Sequence, residues 1–272
     1  MNHSKDIRLI ALDLDGTLTN DEKVITPRTY DALMAAQRRG IKVCLASGRP
    51  PYGMQPLAEQ LRLSEYGGIV IAYNGGYVYD CQTGEVLREV FLNESMLSRL
   101  YSFQALSGMT LMTYHGDKIY TEHPDDEFVG VSVRNNKMTA VGVENFVRDI
   151  PRPVNKCLMV GSPDILPQWE QKMQEAFRDE MHILRSTPYF IELLPLGIDK
   201  APALLSIAAR YDFKTDNIIS FGDSHNDISM LEVSGIGVAM ANADDDVKAV
   251  ADIVTLSNNN DGVAHIIEQL CL

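Results

Sequence analysis

Short apolar runs that end at polar or small residues recur in the amino-terminal part of the chain. They span residues 7–12, 41–46 and 69–73. Continuous apolar runs of this length are typical of strands that are buried on both faces of a parallel sheet. Between the first two runs, Thr26-Pro27 suits a helix N-cap followed by the first helical position, and Gly40 suits a helix end. The pattern predicts a βα unit followed by two further strands.

The carboxyl-terminal part shows the same alternation of apolar runs and helical spacing. We predict strands at 218–221, 237–240 and 253–255, and helices at 200–211, through Met230-Leu231, at 245–251 and after Asp261. Strands that alternate with helices in this way form parallel sheets with helices on both faces. The predicted fold class is therefore α/β, with a doubly wound, Rossmann-like parallel sheet as its core.

The middle of the chain has a different pattern of predicted helices and strands. Helical stretches (95–106 and 166–178) stand among short strand-like runs (111–115, 118–121, 156–160, 182–185 and 189–193). We interpret residues 85–194 as an inserted α+β domain, and residues 1–84 with 195–272 as the core domain. Turn signals at Gly84-Glu85 and Pro195-Leu196-Gly197 are the predicted hinges.

Composition and charge limit the partners. The 272 residues are 45% hydrophobic and 22% charged, as expected of a well-packed globular protein, and the formal net charge is −13. A field of that sign repels nucleic acids and anionic membranes. It also repels a small phosphorylated substrate, so such a substrate would need a cation and backbone donors to reverse the sign inside its pocket.

The cysteines and the apolar segments indicate a cytoplasmic protein. The four cysteines lack Cys-x-x-Cys spacing and are expected to be reduced thiols. The amino terminus lacks the pattern of a signal peptide, and no stretch of about 18 apolar residues occurs. We expect neither export nor membrane insertion.

Polar side chains follow the predicted strands of the core, where each strand ends. These residues are Asp13, Asp15, Ser47, Asn74, Asp223 and Asp227. In open α/β sheets, ligands bind beyond the carboxyl ends of the strands, so these side chains are expected to meet at one edge. Carboxylates this close repel one another unless a cation or protons neutralise them, and all-oxygen ligands favour a hard ion such as Mg²⁺.

Four short motifs, in order along the chain, carry a family resemblance. They are Asp13-Leu14-Asp15-Gly16-Thr17, Ser47-Gly48-Arg49, Lys200 at the start of a helix, and Gly222-Asp223-Ser224-His225-Asn226-Asp227. They resemble the four signatures of the haloacid dehalogenase-like hydrolases, and the Asn226-Asp227 pair is similar to the Cof-type branch with a class IIB cap. The chain departs from the family at Ala201-Pro202, where glycine usually follows the lysine. Both residues suit a first helical turn.

The resemblance implies the roles of the acidic residues. Asp13 would be the nucleophile that forms an aspartyl-phosphate, and Asp15 the general acid that later acts as the general base. The cofactor would be Mg²⁺, held by Asp13, by Asp223 and by the main-chain carbonyl of Asp15. Asp227 is expected to reach the ion directly or through water, which we interpret as an outer, supporting position.

Further residues are candidates for binding the phosphoryl group. Ser47 offers a hydroxyl, Gly48 and Leu14 offer main-chain N–H groups, and Asn226 offers a side-chain amide. Lys200 would supply a positive charge at a helix N-terminus and restrain Asp13. Thr17 is expected to support its loop by hydrogen bonds.

The interval between Ser47 and Lys200 is about 150 residues, far more than one or two βα units need. This placement resembles a class II cap, which would close over the pocket, exclude water and select the substrate. His115, Tyr189 and Glu192 are candidate substrate contacts on its strands.

These expectations together describe a Mg²⁺-dependent phosphatase of small phosphorylated metabolites, with sugar phosphates as the favoured class, acting as a monomer or homodimer. Two alternatives stay open at this point. A phosphomutase of the same superfamily shares the aspartate pair and the cap. A phospho-ligand sensor would bind without turnover, although binding alone does not need the acid/base carboxyl of Asp15.

Overall fold

The computed structural model describes residues 6–272. This part of the chain forms two compact units, which we describe separately. The core unit comprises the described residues up to Gly48, together with Met54–Arg88 and Asp199–Leu272. The inserted unit comprises Arg49–Gly53 and Glu89–Ile198.

The helices and strands follow in chain order. The first stretch contains β1 (Leu9–Leu12), α1 (Pro27–Arg38), β2 (Lys42–Ala46), α2 (Pro51–Gln60), α3 (Leu63–Tyr66), β3 (Ile69–Ala72), β4 (Tyr77–Asp80) and β5 (Val86–Glu89). The middle stretch contains α4 (Glu94–Ser107), β6 (Thr110–His115), β7 (Lys118–Thr121), α5 (Glu127–Asn136), β8 (Thr139–Gly142), α6 (Phe146–Asp149), β9 (Cys157–Val160), α7 (Leu166–Ala176), β10 (Met181–Thr187) and β11 (Phe190–Pro195). The last stretch contains α8 (Lys200–Arg210), β12 (Ile218–Gly222), α9 (Ile228–Val233), β13 (Ile236–Ala239), α10 (Asp245–Val250), β14 (Ile253–Val254) and α11 (Gly262–Leu270).

The core sheet has the strand order β14-β13-β12-β1-β2-β3-β4-β5. The six strands from β14 to β3 run parallel, and β4 pairs antiparallel with β3. The chain moves outward from β1 through β2 and β3, then returns to place β12 on the other side of β1. This reversal beside β1 is the point at which doubly wound sheets bind their ligands. The predicted α/β fold with a parallel core sheet is confirmed.

The central strands form because their side chains are apolar on both faces. Every residue of β1, β3 and β12 is buried, as the continuous apolar runs predict. The predicted start of α1 is also correct: Pro27 is its first residue, and the hydroxyl of Thr26 accepts a hydrogen bond from the N–H of Thr29. The helix α2 is not among the predicted elements, because two prolines and a glycine within Pro51–Gln60 make its sequence resemble a loop.

The inserted unit contains a six-stranded sheet with the order β10-β11-β9-β6-β7-β8. Its strand pairs are antiparallel except for β7 and β8, which run parallel. Side chains from α4, α6 and α7 pack on one face of this sheet, where Phe146 and Phe177 are fully buried. Helix α5 is not predicted, because Gly130 and three valines have low helix propensity and make its sequence resemble a strand or a loop.

No helix within residues 6–272 combines the length and apolar character needed to cross a bilayer. The four cysteines, Cys44, Cys81, Cys157 and Cys271, are free thiols, and Cys44 and Cys157 are buried.

Candidate active site

Asp13 lies at the carboxyl end of β1, at the switch point of the core sheet. Its N–H donates to the carbonyl of Phe221 at 3.0 Å, which ties the end of β1 to β12. The residue is only 7% exposed. Its Oδ1 accepts a hydrogen bond from Lys200, whereas Oδ2 has no hydrogen-bond partner within residues 6–272. One carboxylate oxygen is therefore fixed, and the other is left for a ligand.

Lys200 is the first residue of α8 and is fully buried. Its Nζ lies 2.6 Å from Asp13 Oδ1 and 2.7 Å from Asp227 Oδ1. The helix start is fixed by Asp199, whose side chain accepts hydrogen bonds from the N–H of Ala201 and from the hydroxyl of Ser229. A buried ammonium group is tolerated only when it is paired, and here it has two carboxylate partners.

Asp227 closes the short helical turn that follows β12. Its Oδ1 accepts from Lys200, and its Oδ2 accepts from the N–H groups of Asp223 and Ser224, both at 3.0 Å. The turn packs tightly, because a Cβ at Gly222 would lie 2.4 Å from the Cβ of Asp227. Both oxygens of Asp227 are thus engaged within the protein.

Asp223 lies at the end of β12, beside the loop that follows Asp13. The hydroxyl of Thr17 donates to Asp223 Oδ1 at 2.7 Å, and that of Ser224 donates to Oδ2 at 3.3 Å. The approach requires glycine at residue 16, where φ is +87° and a Cβ would lie 2.4 Å from Asp223 Oδ2. These contacts join the loop that follows β1 to the residues that follow β12.

The carboxylates form a cluster that suits a divalent cation. One oxygen from each of Asp13, Asp223 and Asp227 lies within 4.8 Å of the others. The ammonium group of Lys200 balances one of the three negative charges, which leaves an excess of about two when all are ionised. Hard oxygen ligands and this excess charge fit Mg²⁺. Asp227 is completely buried and accepts from Lys200 and from two main-chain N–H groups, whereas Asp223 is partly exposed and accepts only from hydroxyl groups. Asp13 and Asp223 are therefore the members best able to supply ligand atoms.

The pKa values reflect this crowding. Burial, followed by the charge of Asp227, raises the pKa of Asp13 above its ordinary value, against the opposing effect of Lys200. Burial also raises the pKa of Asp223 to about 6, and the hydrogen bond from Thr17 opposes this rise. Burial alone would lower the pKa of Lys200, but the charges of Asp13 and Asp227 raise it above its ordinary value. The lysine is therefore a permanent cation in the cluster.

A second group of polar residues lies at the ends of β2 and β3. Ser47 accepts a hydrogen bond on its carbonyl from the N–H of Asn74, at 2.9 Å. The side chain of Asn74 accepts from the amide of Asn226 at 3.1 Å and lies against Gly48, where a Cβ would be 3.2 Å away. Three predicted phosphate-binding residues, Ser47, Gly48 and Asn226, thus gather around Asn74. Leu14 is the other residue predicted to bind phosphate through its main chain. Its N–H has no hydrogen-bond partner within residues 6–272.

Asp15 has a more open environment than Asp13. It forms an isolated bridge with Thr19, and its Oδ1 lies 2.9 Å from Nζ of Lys23. The Asp15 side chain is 38% exposed and that of Lys23 is 59% exposed. A carboxyl group with this access to solvent can exchange protons with water or with a leaving group. Lys23 could not be identified from the sequence, because a lysine in a polar turn carries no distinguishing signal.

The three residues proposed as substrate contacts on the inserted unit have different surroundings. Glu192 is 8% exposed and its Oε2 lies 2.8 Å from Nζ of Lys156. Tyr189 stacks on Phe128, with ring centroids 5.8 Å apart, and lines a cavity of about 460 Å³ within this unit. His115 is exposed at the end of β6. Glu192 thus has a structural role as a buried ion-pair partner, and its role toward substrate stays a prediction.

Comparison with known proteins identifies relatives over nearly the whole chain. A family model described as haloacid dehalogenase-like hydrolase matches residues 10–267. The 5-amino-6-(5-phospho-D-ribitylamino)uracil phosphatase YcsE of Bacillus subtilis is 30% identical over 268 residues, which cover 98% of this chain and 97% of that protein.

Solved structures agree. A haloacid dehalogenase-like hydrolase from Bacteroides thetaiotaomicron matches with a TM-score of 0.94 and 41% identity, covering 97% of this chain and 99% of that one. The HAD subclass IIB sugar phosphatase BT4131 matches with a TM-score of 0.81 and 26% identity, covering 96% and 98%. The chain therefore belongs to the haloacid dehalogenase-like hydrolases, in the Cof-type branch with a class IIB cap, and is a phosphatase of that family.

Proposed function

We propose that this protein is a Mg²⁺-dependent phosphatase that hydrolyses small phosphomonoesters through an aspartyl-phosphate on Asp13. The observation that carries the proposal is the placement of the Asp13 carboxylate, with Lys200 on one oxygen and Asp223 beside it. An ammonium group fixed on Oδ1 orients the carboxylate and leaves Oδ2 as the oxygen that attacks phosphorus. Attack by an oriented carboxylate replaces one difficult displacement by two easier ones.

Asp15 is proposed to manage the protons of both half-reactions. In the first half-reaction, its carboxyl group donates a proton to the leaving alkoxide as the bond from phosphorus to the leaving oxygen breaks. In the second, the carboxylate that results takes a proton from the water that attacks the phosphorus atom, and Asp13 leaves as a carboxylate. Its half-exposed position allows water to reach it between the two steps.

The remaining residues are proposed to hold the phosphoryl group. The N–H groups of Leu14 and Gly48, the hydroxyl of Ser47 and the amide of Asn226 supply hydrogen-bond donors for the oxygens on which negative charge accumulates. Mg²⁺, when bound by Asp13, Asp223 and the Asp15 carbonyl, supplies positive charge that screens the phosphate from the carboxylates. Asp227 holds Lys200 and the turn at Asp223 in place.

We propose sugar phosphates as the substrate class, with their selection residing in the inserted unit. Two relatives support this class by their names: one is a sugar phosphatase, and the other acts on a phospho-ribityl compound. The substrates that these two names describe both carry the phosphate on a hydroxylated carbon chain. The excess negative charge of this chain, −13, also favours small substrates over polyanions such as nucleic acids.

The test is a screen of phosphate release by the purified protein with Mg²⁺, using p-nitrophenyl phosphate and a panel of sugar phosphates. Asp13→Asn keeps the shape of the side chain but removes the nucleophilic oxygen, and Asp117→Asn, on an exposed turn of the inserted unit, is the matched control. We expect Asp13→Asn to lose nearly all turnover and Asp117→Asn to retain it.

Three results would contradict the proposal. Undiminished turnover in Asp13→Asn would exclude Asp13 as the nucleophile. An isomerised hexose phosphate in place of free phosphate would identify a phosphomutase. Tight binding of a sugar phosphate with no turnover across the panel would identify a sensor.

A further inference from the structure

The loop that follows Asp15 is held from outside by two asparagines that the proposed mechanism does not use. We propose that Asn242 and Asn258 are positioning residues, which keep the carboxyl group of Asp15 in line with the leaving group. This inference rests on the proposed role of Asp15 as general acid. All the residues involved lie in the core unit.

The loop has little regular structure of its own. Around Asp15, its internal main-chain contacts are one isolated bridge to Thr19 and a few turn hydrogen bonds, from Thr17 and Thr19 to the carbonyl of Leu14 and from Leu18 to the carbonyl of Asp13. A segment with so few ladder hydrogen bonds samples several conformations unless other groups restrain it. General acid catalysis, however, requires that the donor stay within hydrogen-bond distance of the leaving oxygen.

Asn242 restrains the peptide that joins Gly16 to Thr17, one residue beyond Asp15. Its Nδ2 donates to the carbonyl of Gly16 at 2.8 Å. Its Oδ1 accepts from the N–H of Asn258 at 3.0 Å, so the side-chain amide is oriented at both ends. Rotation of the Gly16 peptide would break this bond, and such a rotation is otherwise easy because Gly16 lacks a Cβ.

Asn258 restrains the other end of the same loop. The residue is 6% exposed, and its Nδ2 donates to the carbonyl of Thr19 and to Oδ1 of Asp21, both at 3.1 Å. Thr19 is the bridge partner of Asp15, so the amide of Asn258 fixes the strand-like pair that carries the acid. A buried carbonyl that loses its donor pays a desolvation cost, which makes this contact hard to replace by water.

The contacts continue to the lysine that faces Asp15. Asp21 also accepts a hydrogen bond from Asn259 at 2.9 Å, and its N–H donates to Asn259 Oδ1 at 3.1 Å. The turn that follows is closed by hydrogen bonds between Asn20 and Val24, and Lys23 within it approaches Asp15 to 2.9 Å. An exposed ion pair alone contributes little order, because ordering two mobile side chains offsets most of its attraction. The hydrogen bonds that fix the turn reduce the entropy that is lost when Lys23 pairs with Asp15.

The variants Asn258→Ala and Asn242→Ala test the proposal, and Asn260→Ala is the matched control. Asn260 belongs to the same run of asparagines, but its amide bonds to Ser257 and not to the loop. The measurement is kcat/KM with two phosphate esters under saturating Mg²⁺: p-nitrophenyl phosphate, whose leaving group is a weak base, and glycerol 1-phosphate, whose leaving alkoxide is a strong base and needs a proton. Circular dichroism and thermal melts establish the folded fraction.

We expect Asn258→Ala and Asn242→Ala to lower kcat/KM for glycerol 1-phosphate about tenfold or more, with a loss of less than about threefold for p-nitrophenyl phosphate. Asn260→Ala should match the unaltered protein with both esters. Equal losses with the two esters, or no loss in a folded variant, would overturn the proposal while leaving the proposed function intact. Failure of the proposed function would appear instead as absent turnover in the unaltered protein.

Discussion

The ammonium group of Lys200 lies 2.6 Å from Asp13 Oδ1, although the two residues are 187 positions apart in the sequence. Lys200 is fully buried and Asp13 nearly so. The contact joins the first residue of α8 to the end of β1, and Asp227 shares the same ammonium group. One cation thus determines the orientation of the proposed nucleophile and of the turn that carries Asp223.

Replacing Lys200 with methionine should destabilise the protein and stop turnover. The variant leaves Asp13 and Asp227 buried without a counter-charge, and removing one partner of a buried ion pair typically costs about 3–5 kcal/mol. We expect a decrease of that size in the free energy of unfolding, measured by urea denaturation at neutral pH without Mg²⁺. Lys118→Met, which alters an exposed lysine, is the control and should unfold as the unaltered protein does. Full stability in Lys200→Met would show that the buried pair contributes no net stabilisation.

Thr17 should affect Mg²⁺ affinity rather than turnover at saturation. Its hydroxyl donates to Asp223 Oδ1 at 2.7 Å and so orients a proposed ligand of the ion. Loss of such an orienting contact typically weakens metal binding about 10- to 100-fold. We expect Thr17→Val to raise the Mg²⁺ concentration that gives half-maximal activity by that factor, with kcat nearly unchanged at saturation. Thr17→Ser retains the hydroxyl and should behave as the unaltered protein; an unchanged Mg²⁺ titration in Thr17→Val would contradict this role.

Gly16→Ala should disrupt the site even though it adds one methyl group. The added Cβ would lie 2.4 Å from Asp223 Oδ2, and φ at this residue is +87°. Strain of this kind costs about 1–3 kcal/mol, and the Asp223 carboxylate must move to relieve it. We expect a folded protein with a lower melting temperature and turnover reduced at least about 100-fold, measured by melting and phosphate release. Gly84→Ala has a positive φ without a nearby atom and is the control for strain alone. A site that tolerates Gly16→Ala would contradict the close approach.

Mg²⁺ should stabilise the folded protein, and the effect should depend on pH. The pKa of Asp223 is raised to about 6 by burial, so the metal-free protein loses stability as the pH rises from about 4 through 6 and this carboxyl group ionises. Protons compete with the cation over the same range. We expect millimolar Mg²⁺ to raise the melting temperature by several degrees well above pH 6 and to lose this effect below it. Asp223→Asn should abolish the shift, and a shift that is independent of pH would contradict the assignment.

The core of the fold was predictable because its strands are buried on both faces. The runs at β1, β2, β3 and β12 are continuous and apolar, and their carboxyl ends necessarily meet at one edge of a parallel sheet. This geometry places Asp13 and Asp223 together without any knowledge of the side-chain packing. The predicted helix start at Thr26-Pro27 was correct for an equally local reason, since the cap is encoded in adjacent residues.

Elements whose local signals conflict were not predictable. Helix α5 contains Gly130 and three β-branched valines, which favour a strand, and it forms because Asp126 caps it and Val129 and Ser132 are buried in the inserted unit. Helix α2 has Pro51 at its start and Pro56 inside it, and its sequence is typical of a loop. Tertiary packing overrides propensity in both cases.

The contacts that support the site could not be predicted from the sequence, for another reason. Asn258 and Thr19 are 239 positions apart, and Asn242 and Gly16 are 226 apart. Both contacts join loops, where no periodicity indicates which side chain will face which carbonyl. The pairing of Lys200 with Asp227 likewise depends on the turn after β12, which only the structure shows.

A search for phosphoryl-enzyme on Asp13 tests directly whether this residue is the nucleophile. The variant Asp15→Asn should form the acyl-phosphate from p-nitrophenyl phosphate, whose leaving group needs no proton, and should hydrolyse it slowly because the general base is missing. After mixing with Mg²⁺ and rapid acid quenching, mass spectrometry of peptides should find one added phosphoryl group on the peptide containing Asp13. The double variant with Asp13→Asn should lack it. Release of p-nitrophenol with no phosphoryl group on the protein, or with the group on another residue, would show that Asp13 is not the nucleophile.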